Sequence, residues 1–480
     1  MTRVLITVFD ALRPEFVRPG LMPNLYRFAD GGVRYANARS TFPTETRVNQ
    51  SAVTTGCMPR KHGVVANRFV ADDLLPGLLV NTGDDTKLER AFTAGPVLAV
   101  PNMGQRLRAV GKTYASLSAG TPGGGRLINH SAEADGTFRL AMNRPRACAP
   151  TGVFDRIVDR IGPLPEYHLP ATDWITWAVS AYLDYIEPEI SPDVMLLWLC
   201  EPDESFHWKG IGSPEALETI RHVDAEFGRL IDRLGPEIQA NRLQIVAMSD
   251  HGQISLTGGK LDISGAMAGD GFRVSTDSLA DADYLSAIGN AGGIWVRDRD
   301  PRLVERALDW LMTQPWCGPV YTLGGARGTL CQAELWADHA RAPDISVVAR
   351  TQTGANAHGI EGLTLHDAPY PEGGGCHGGL SAHELHNVLV LGGGAFGRDR
   401  VIEAPGGNVD ILPTVFAVLG LPVPDGLDGR VLGEAFADGS ERPTAETTVL
   451  RASNDSGPVT HLQVTEVAGT RYLDRSWVEN

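Results

Sequence analysis

The 480-residue chain has no pair of cysteines at CxxC spacing: Cys57, Cys148, Cys200, Cys317, Cys331 and Cys376 are scattered singly. That excludes a thiolate metal knuckle, a thioredoxin-type redox motif and a disulfide scaffold, and the expectation is free thiols in a reducing, cytoplasmic compartment. Long apolar runs are missing too. A membrane helix needs ~18 such residues, whereas the N-terminal run VLITVF stops after six at Asp10, so neither a membrane span nor a secretory leader is expected. Positive charge is in deficit, with 42 Lys and Arg against 58 Asp and Glu and a formal net charge of −16, which argues against a stable nucleic-acid partner. A small phosphorylated substrate stays compatible, because bound divalent cations reverse the local field. Internal repeats and low-complexity tails are not seen, and oligomeric state is left open.

What is present reads as one large α/β unit with an insertion, in keeping with 55 Gly and 31 Pro. Arg3 to Phe9 is a β-branched apolar run ended by Asp10; Val194 to Cys200 runs into EPDESFH; Leu243 to Met248 runs into Ser249-Asp250-His251-Gly252. Three buried strands, each followed by an aspartate, match the way open α/β sheets build sites at their carboxyl ends. MPNLYRFADGG, Asn102 to Val110, Ala171 to Ile186 and Pro214 to Leu234 predict helices, and Lys112 to Ser116 a strand. AGTPGGGRLIN is expected to be a Gly-rich loop, and without a terminal Lys-Ser/Thr it is not a P-loop.

From Ile254 to Gly375 the pattern shifts to Gly-rich loops around GGIWV, a helix near Leu303 to Met312, and PVYTL. An α+β cap is expected there, with Asp344 to Arg350 rejoining the main sheet or its edge. HGGLSAHE, the strand VLVLGG and the helix in NVDILPTVFAVLGL return the chain to the core. The expected fold is therefore a doubly wound, mostly parallel sheet flanked by helices. Residues 1–253 and 376–480 form the core and 254–375 the inserted cap.

Within STFPTETRVNQSAVTTGCMPRKHG, residues 47–55 are helix-compatible and end at Gly56. Thr46 then falls at the helix N-terminus, where unpaired N–H groups favour an anion, although threonine is also an ordinary N-cap. Asp10, Asp203 and His207 at i,i+4 spacing, the adjacent Asp250 and His251, and His377 of a His-Gly-Gly make a carboxylate and imidazole set that suits zinc. Taken singly, each also reads as a loop contact, a turn or a surface histidine.

These residues lie in an ordered series: VFDALRP, MPNLYRFADGG, TTGCMPRKHGVVAN, LCEPDESFH, VAMSDHG, CHGG and VDILPTVFAVLGLPVPDGLDGRVL. The series resembles the alkaline phosphatase superfamily, and within it the nucleotide pyrophosphatase/phosphodiesterase branch. The resemblance implies two divalent metals, zinc or alternatively manganese. One would be held by Asp203, His207 and His377, and the other by Asp10, Asp250 and His251, with Thr46 bridging as nucleophile. Asn67 would help hold the phosphoryl oxygens.

Departures bear on substrate. The branch has Phe-Pro-Asn-His after the threonine, where this chain has Arg47, Val48, Asn49 and Gln50. Arg47 is a candidate contact for a second anionic oxygen, and Trp208 a further substrate contact. TYASLSAGTPGGG lacks the lysines of phosphonoacetate hydrolases. Ala11 replaces a common glycine, a change expected to be harmless at negative φ. The expected activity is cleavage of phosphodiester or pyrophosphate bonds of nucleotide-like substrates through a phospho-threonine. The alternatives are a phosphomonoesterase or phosphonate hydrolase on the same site and, from another class, a metal-free binding relative, against which stands an unsubstituted ligand set.

Overall fold

A computed structural model describes residues 2–439, 442–453 and 458–479. Its centre is an eight-stranded sheet of β1 (Arg3–Phe9), β2 (Val33–Tyr35), β3 (Tyr114–Ser118), β4 (Phe138–Ala141), β5 (Val194–Leu199), β6 (Leu243–Met248), β7 (Leu389–Gly392) and β8 (Arg400–Ile402). The spatial order is β8-β2-β7-β6-β1-β5-β3-β4. β1 lies between β5 and β6, parallel to both, and only β7 runs against its neighbours.

Alternation along the strands explains the two layers. Leu5 and Phe9 point with Leu197, Leu199 and Ile245 into one core, against Trp174, Trp177, Phe227 and Leu230 of helices Thr172–Ala181 and Pro214–Gln239. Val4, Ile6 and Val8 point with Trp198 and Val246 into the other, against Val53, Leu107 and Phe416. At ~1.5–3 kcal/mol for each fully buried large apolar side chain, these two layers outweigh any single polar contact at the sheet rim. The sheet therefore delivers Asp10, the Pro202 turn and Asp250 side by side at one end, through the register Val8↔Trp198 and Val8↔Met248.

A second, six-stranded sheet holds Tyr284–Ile288, Ala291–Val296, Ile345–Ala349 and Cys317–Thr322, with Val274–Ser275 and Leu330–Cys331 at its edges. Helix Pro301–Met312 packs on it through Leu308 and Leu311. Asp344 to Arg350 thus belongs to this sheet and not to the main one: Ile345–Ala349 pairs with Ala291–Val296 and Cys317–Thr322. The Gly-rich stretch expected as a loop is also different, forming helix Pro122–Leu127 behind the N-cap of Thr121, whose Oγ1 accepts from Gly124 N. Helix propensity disfavours those glycines, but a Cβ on Gly123 would lie 1.5 Å from the carbonyl oxygen of Thr82, so close packing requires them.

Of the four smaller sheets among the described residues, two bear on the site and its frame. Ile254–Lys260 pairs antiparallel with Gly375–Cys376 in the register Ile254↔Cys376, which carries His377 back beside the segment following His251. The C-terminal strands Ala445–Ala452, Val459–Val467 and Thr470–Glu479 form an antiparallel sheet. Its Leu462, Val464 and Leu473 pack against Tyr321 and Val348 of the second sheet and against Phe42 and Leu385.

Candidate functional site

The helix carrying Thr46 spans Thr46–Thr55, with Glu45 as N-cap and Gly56 in the left-handed conformation at its end. It is buried along nearly its whole length, so its first turn is fixed in position between the sheets. Thr46 is also buried, and its Oγ1 lies 3.3 Å from His251 Nε2. The neighbouring hydroxyls are engaged elsewhere: Thr41 donates to Asn49 Oδ1, Thr44 to the Gly379 carbonyl and Ser51 to the Arg47 carbonyl.

Asp10, Asp203, His207, Asp250, His251 and His377 converge there, all at the carboxyl end of the sheet or brought to it by the Gly375–Cys376 strand. His207 Nε2 is 3.3 Å from Asp203 Oδ2, and His377 Nε2 is 3.5 Å from Asp203 Oδ1. His251 Nε2 is 3.1 Å from Asp250 Oδ2 and 3.6 Å from Asp10 Oδ1. Two ligand sets stand out as able to hold a metal ion, Asp203 with His207 and His377, and Asp10 with Asp203 and His251, so that Asp203 lies between them. Asp250 borders the second set through His251.

The three histidines share one arrangement. Nδ1 of His207, His251 and His377 faces the carbonyl oxygens of Gly375, Gly252 and Thr44, at 2.7, 3.0 and 2.8 Å. With the proton on Nδ1, each ring presents its Nε2 lone pair to the carboxylates, the usual way in which an outer hydrogen bond orients a metal-binding imidazole. Glycine is needed for this approach, because a Cβ on Gly374 would sit 2.3 Å from the carbonyl oxygen of His207.

The electrostatics show a centre that demands positive charge. Burial raises the carboxyl of Asp10 well above its ordinary range, and Asp250 and Asp203 push it further. Burial acts the same way on Asp203, but His207, His377 and His251 overcome it and hold that carboxyl far below its ordinary value. Burial disfavours the cationic forms of His207 and His251, yet Asp203 and Asp250 respectively draw them above the ordinary imidazole range. Among the described residues Asp10 Oδ1 has no hydrogen-bond partner, and Asp250 Oδ2 faces only His251 Nε2. Buried carboxylate oxygens beside three aligned Nε2 atoms fit divalent cations in donor type and in charge.

Asn67 reaches the helix start, where its Oδ1 accepts from Arg47 N at 3.1 Å, while its own N–H donates to Glu45 Oε2. One helix N–H is thereby occupied by a side chain. Burial holds the carboxyls of Asp10, Glu45 and Glu204 above their ordinary range, Arg47 lies close enough to oppose that rise, and its Nε is buried without a partner among the described residues. Trp208 is 46% exposed at the rim, edge-on to Tyr370, which stacks on His207 at 3.8 Å between ring centres.

The sequence reading missed four contributors. Trp198 donates to Asp10 Oδ2 at 2.9 Å. Gln253 donates to both the backbone and the side chain of Asp203. Glu45 and Tyr370 are the others. Trp198 looks like core in VMLLWL, and only Gln253, directly after the Asp250-His251-Gly252 turn, had a local signal. Ala11 corrects another expectation: its φ is +61°, and from that left-handed conformation its N–H donates to Asp250 Oδ1 at 3.1 Å.

This arrangement defines an alkaline phosphatase-like α/β protein, and the solved structure of murine ectonucleotide pyrophosphatase/phosphodiesterase 5 shares the fold. The TM-score is 0.60 at 18% identity, covering 88% of this chain and 96% of that one, and the neighbour was solved as an inactive variant in complex with AMP. The family model for type I phosphodiesterase / nucleotide pyrophosphatase matches residues 4–307. The chain belongs to that family. It is 25% identical over 257 residues to human ectonucleotide pyrophosphatase/phosphodiesterase family member 1, covering 52% of this chain and 23% of that protein. It is 23% identical over 246 residues to venom phosphodiesterase 2 of Crotalus adamanteus, covering 50% of this chain and 25% of that protein. The match thus spans about a quarter of the length of these curated relatives.

Proposed function

We propose that the chain is a divalent-metal-dependent hydrolase that cleaves phosphodiester or pyrophosphate bonds of small nucleotide-like substrates. The observation that carries this reading is the position of Thr46 Oγ1, at a helix N-terminus and 3.3 Å from one histidine of a buried centre of aspartates and histidines. Asp203, His207 and His377 would hold one ion and Asp10, Asp250 and His251 the other, with zinc the expected metal and manganese the alternative. Two such ions would lower the pKa of the Thr46 hydroxyl and offset charge on the attacking and leaving oxygens of an in-line displacement.

The residues do the rest. Trp198 and the Ala11 amide orient Asp10 and Asp250, and Gln253 orients Asp203. Thr46 Oγ1 attacks phosphorus and forms an Oγ1–P bond while the bond to the leaving oxygen breaks; water then cleaves Oγ1–P, and two inversions give net retention. Asn67 and the first turn of the helix border the phosphoryl oxygens. Residues 254–375 serve as a cap, supplying Tyr370, which with Trp208 forms a wall on which a base or another flat group can stack.

A phosphomonoester or phosphonate substrate is a second reading, favoured by Arg47, whose unpartnered Nε and proximity to the carboxylates suit an additional anionic oxygen. Rates with a nitrophenyl phosphodiester, the nitrophenyl monoester and a phosphonate decide between them. A diester rate well above the other two is expected; a preferred monoester or phosphonate would establish the second reading. AMP, bound by the structural neighbour, is the product analogue to test as an inhibitor. All six cysteines are free thiols, and the curated relatives carry names of ecto- and venom proteins. Among the described residues no helix is long and apolar enough to cross a membrane.

A further inference from the structure

Away from the carboxylate centre, a cavity of about 940 Å³ opens between helix Asp85–Ala94, the start of helix Pro122–Leu127 and the segment 139–151. Its wall carries Arg90, Arg126, Arg139, Arg144 and Arg146 against only Glu89 and Glu133. This excess of positive charge stands in a chain of net −16.

The floor is the informative part. Arg139 is 5% exposed, and the hydrogen bonds of its guanidinium go to carbonyls: Nε to Ala147 O at 2.6 Å, and Nη1 to Asn129 O and His130 O at 2.6 and 3.3 Å. No carboxylate pairs with it, and its Nη2 donates to no protein group among the described residues. Burial, reinforced by Arg126, pushes its pKa down to about 10, and Glu89 and Glu133, which act on it only from a distance, do not offset this. Arg126 pairs with Glu89 Oε1 at 2.7 Å and lies 4.5 Å above the Phe92 ring, which fixes its guanidinium at the wall. Arg90, exposed at the mouth, has no hydrogen bond or ion pair among the described residues. A buried guanidinium with no carboxylate in direct contact is costly unless an anion meets it, and several arginines around a concave space favour a ligand with more than one phosphate-like group.

We propose that this cavity binds a small polyanion bearing two or more phosphate groups, at a site separate from the Thr46 centre. Leu75, Ala94, Pro122 and Ala147 give the cavity an apolar side that would accept an uncharged part of the ligand. The volume lies in the range of pockets for small organic ligands. The two sites share a structural link, since helix Pro122–Leu127 packs against the Thr46 helix where Gly124 approaches Gln50.

Methylenediphosphonate, whose P–C–P bridge resists hydrolysis, is the probe. Calorimetric titration of the full chain should show a saturable event near one per chain that persists in Asp10→Asn and weakens about tenfold or more in Arg90→Glu. It should also weaken in Arg139→Gln. If that variant does not fold, Arg90→Glu, which alters only an exposed unpartnered side chain, carries the test. Hydrogen exchange should slow on binding in residues 86–94 and 139–148. Absence of saturable binding, or a single event lost in Asp10→Asn and unchanged in Arg90→Glu, would overturn the proposal while leaving the reading of the Thr46 centre intact.

Discussion

Thr46 Oγ1 and His251 Nε2 lie 3.3 Å apart although 205 residues separate them in the chain. The contact exists because one residue opens a helix and the other follows a central strand, and both ends meet at the rim of the sheet. Thr46→Ala removes the hydroxyl together with the γ-methyl group. It should keep the metal content and the affinity for AMP, and lose on the order of 10³-fold in rate, about 4 kcal/mol of barrier. Elemental analysis and steady-state kinetics check this together.

His207→Ala and His377→Ala each delete an Nε2 that faces Asp203. Each should lower the bound metal from about two ions to about one per chain and cut the rate at least 100-fold, with circular dichroism unchanged because the core does not include these rings. Wild-type metal content and rate in either variant would remove that residue from the centre.

Ala11 holds a left-handed backbone that a residue with a Cβ adopts at a cost of roughly 1–2 kcal/mol. Ala11→Gly should fold at least as stably as the parent, whereas Ala11→Val, β-branched at positive φ, should lose about 2 kcal/mol or more. Because the Ala11 amide orients Asp250, the valine variant should also bind metal more weakly. Denaturant titration with metal analysis reads both effects.

His62 offers a pH test remote from the metal centre. Its Nδ1 accepts from Val64 N, its Nε2 is buried without a partner, and burial together with nearby His339 lowers its pKa from 6.5 to about 3. Between those values the folded chain binds fewer protons than the unfolded one, so this contribution to stability rises with pH there. It is complete above about 6.5 and lost as pH falls. Lowering the pH from 7.5 to 5.0 should cost about 2 kcal/mol through this group, and His62→Gln should flatten that part of the profile. Equal slopes for both proteins would contradict it.

Legibility followed the range of the signal. Asp10, Asp203, His207, Asp250 and His251 were visible because an apolar run ending in an acid is a local pattern, and the sheet then brings those ends together by register. His377 was visible only as the histidine of a His-Gly-Gly with no strand pattern before it, and the pairing of Gly375–Cys376 with the strand after His251 is what delivers it. Trp198 and Tyr370 were hidden because a buried aromatic has the same local signature whether it packs a core or braces an aspartate. The apolar run from Ile345 announced a strand correctly but not its sheet, which depends on partners distant in sequence. The left-handed conformation of Ala11, in which its amide meets Asp250, was signalled only by the glycine common at that position in the branch it resembles.

The central claim is that Thr46 carries the phosphoryl group during turnover. Rapid quench of the enzyme with a radiolabelled phosphoryl substrate, followed by peptide mapping, tests it most directly. The expected result is label on Thr46, appearing and decaying within one turnover and absent from Thr46→Ala. Label on Thr44 or Ser51, or a Thr46→Ala variant that turns over at a near-normal rate without label, would contradict the claim and point to direct attack by water.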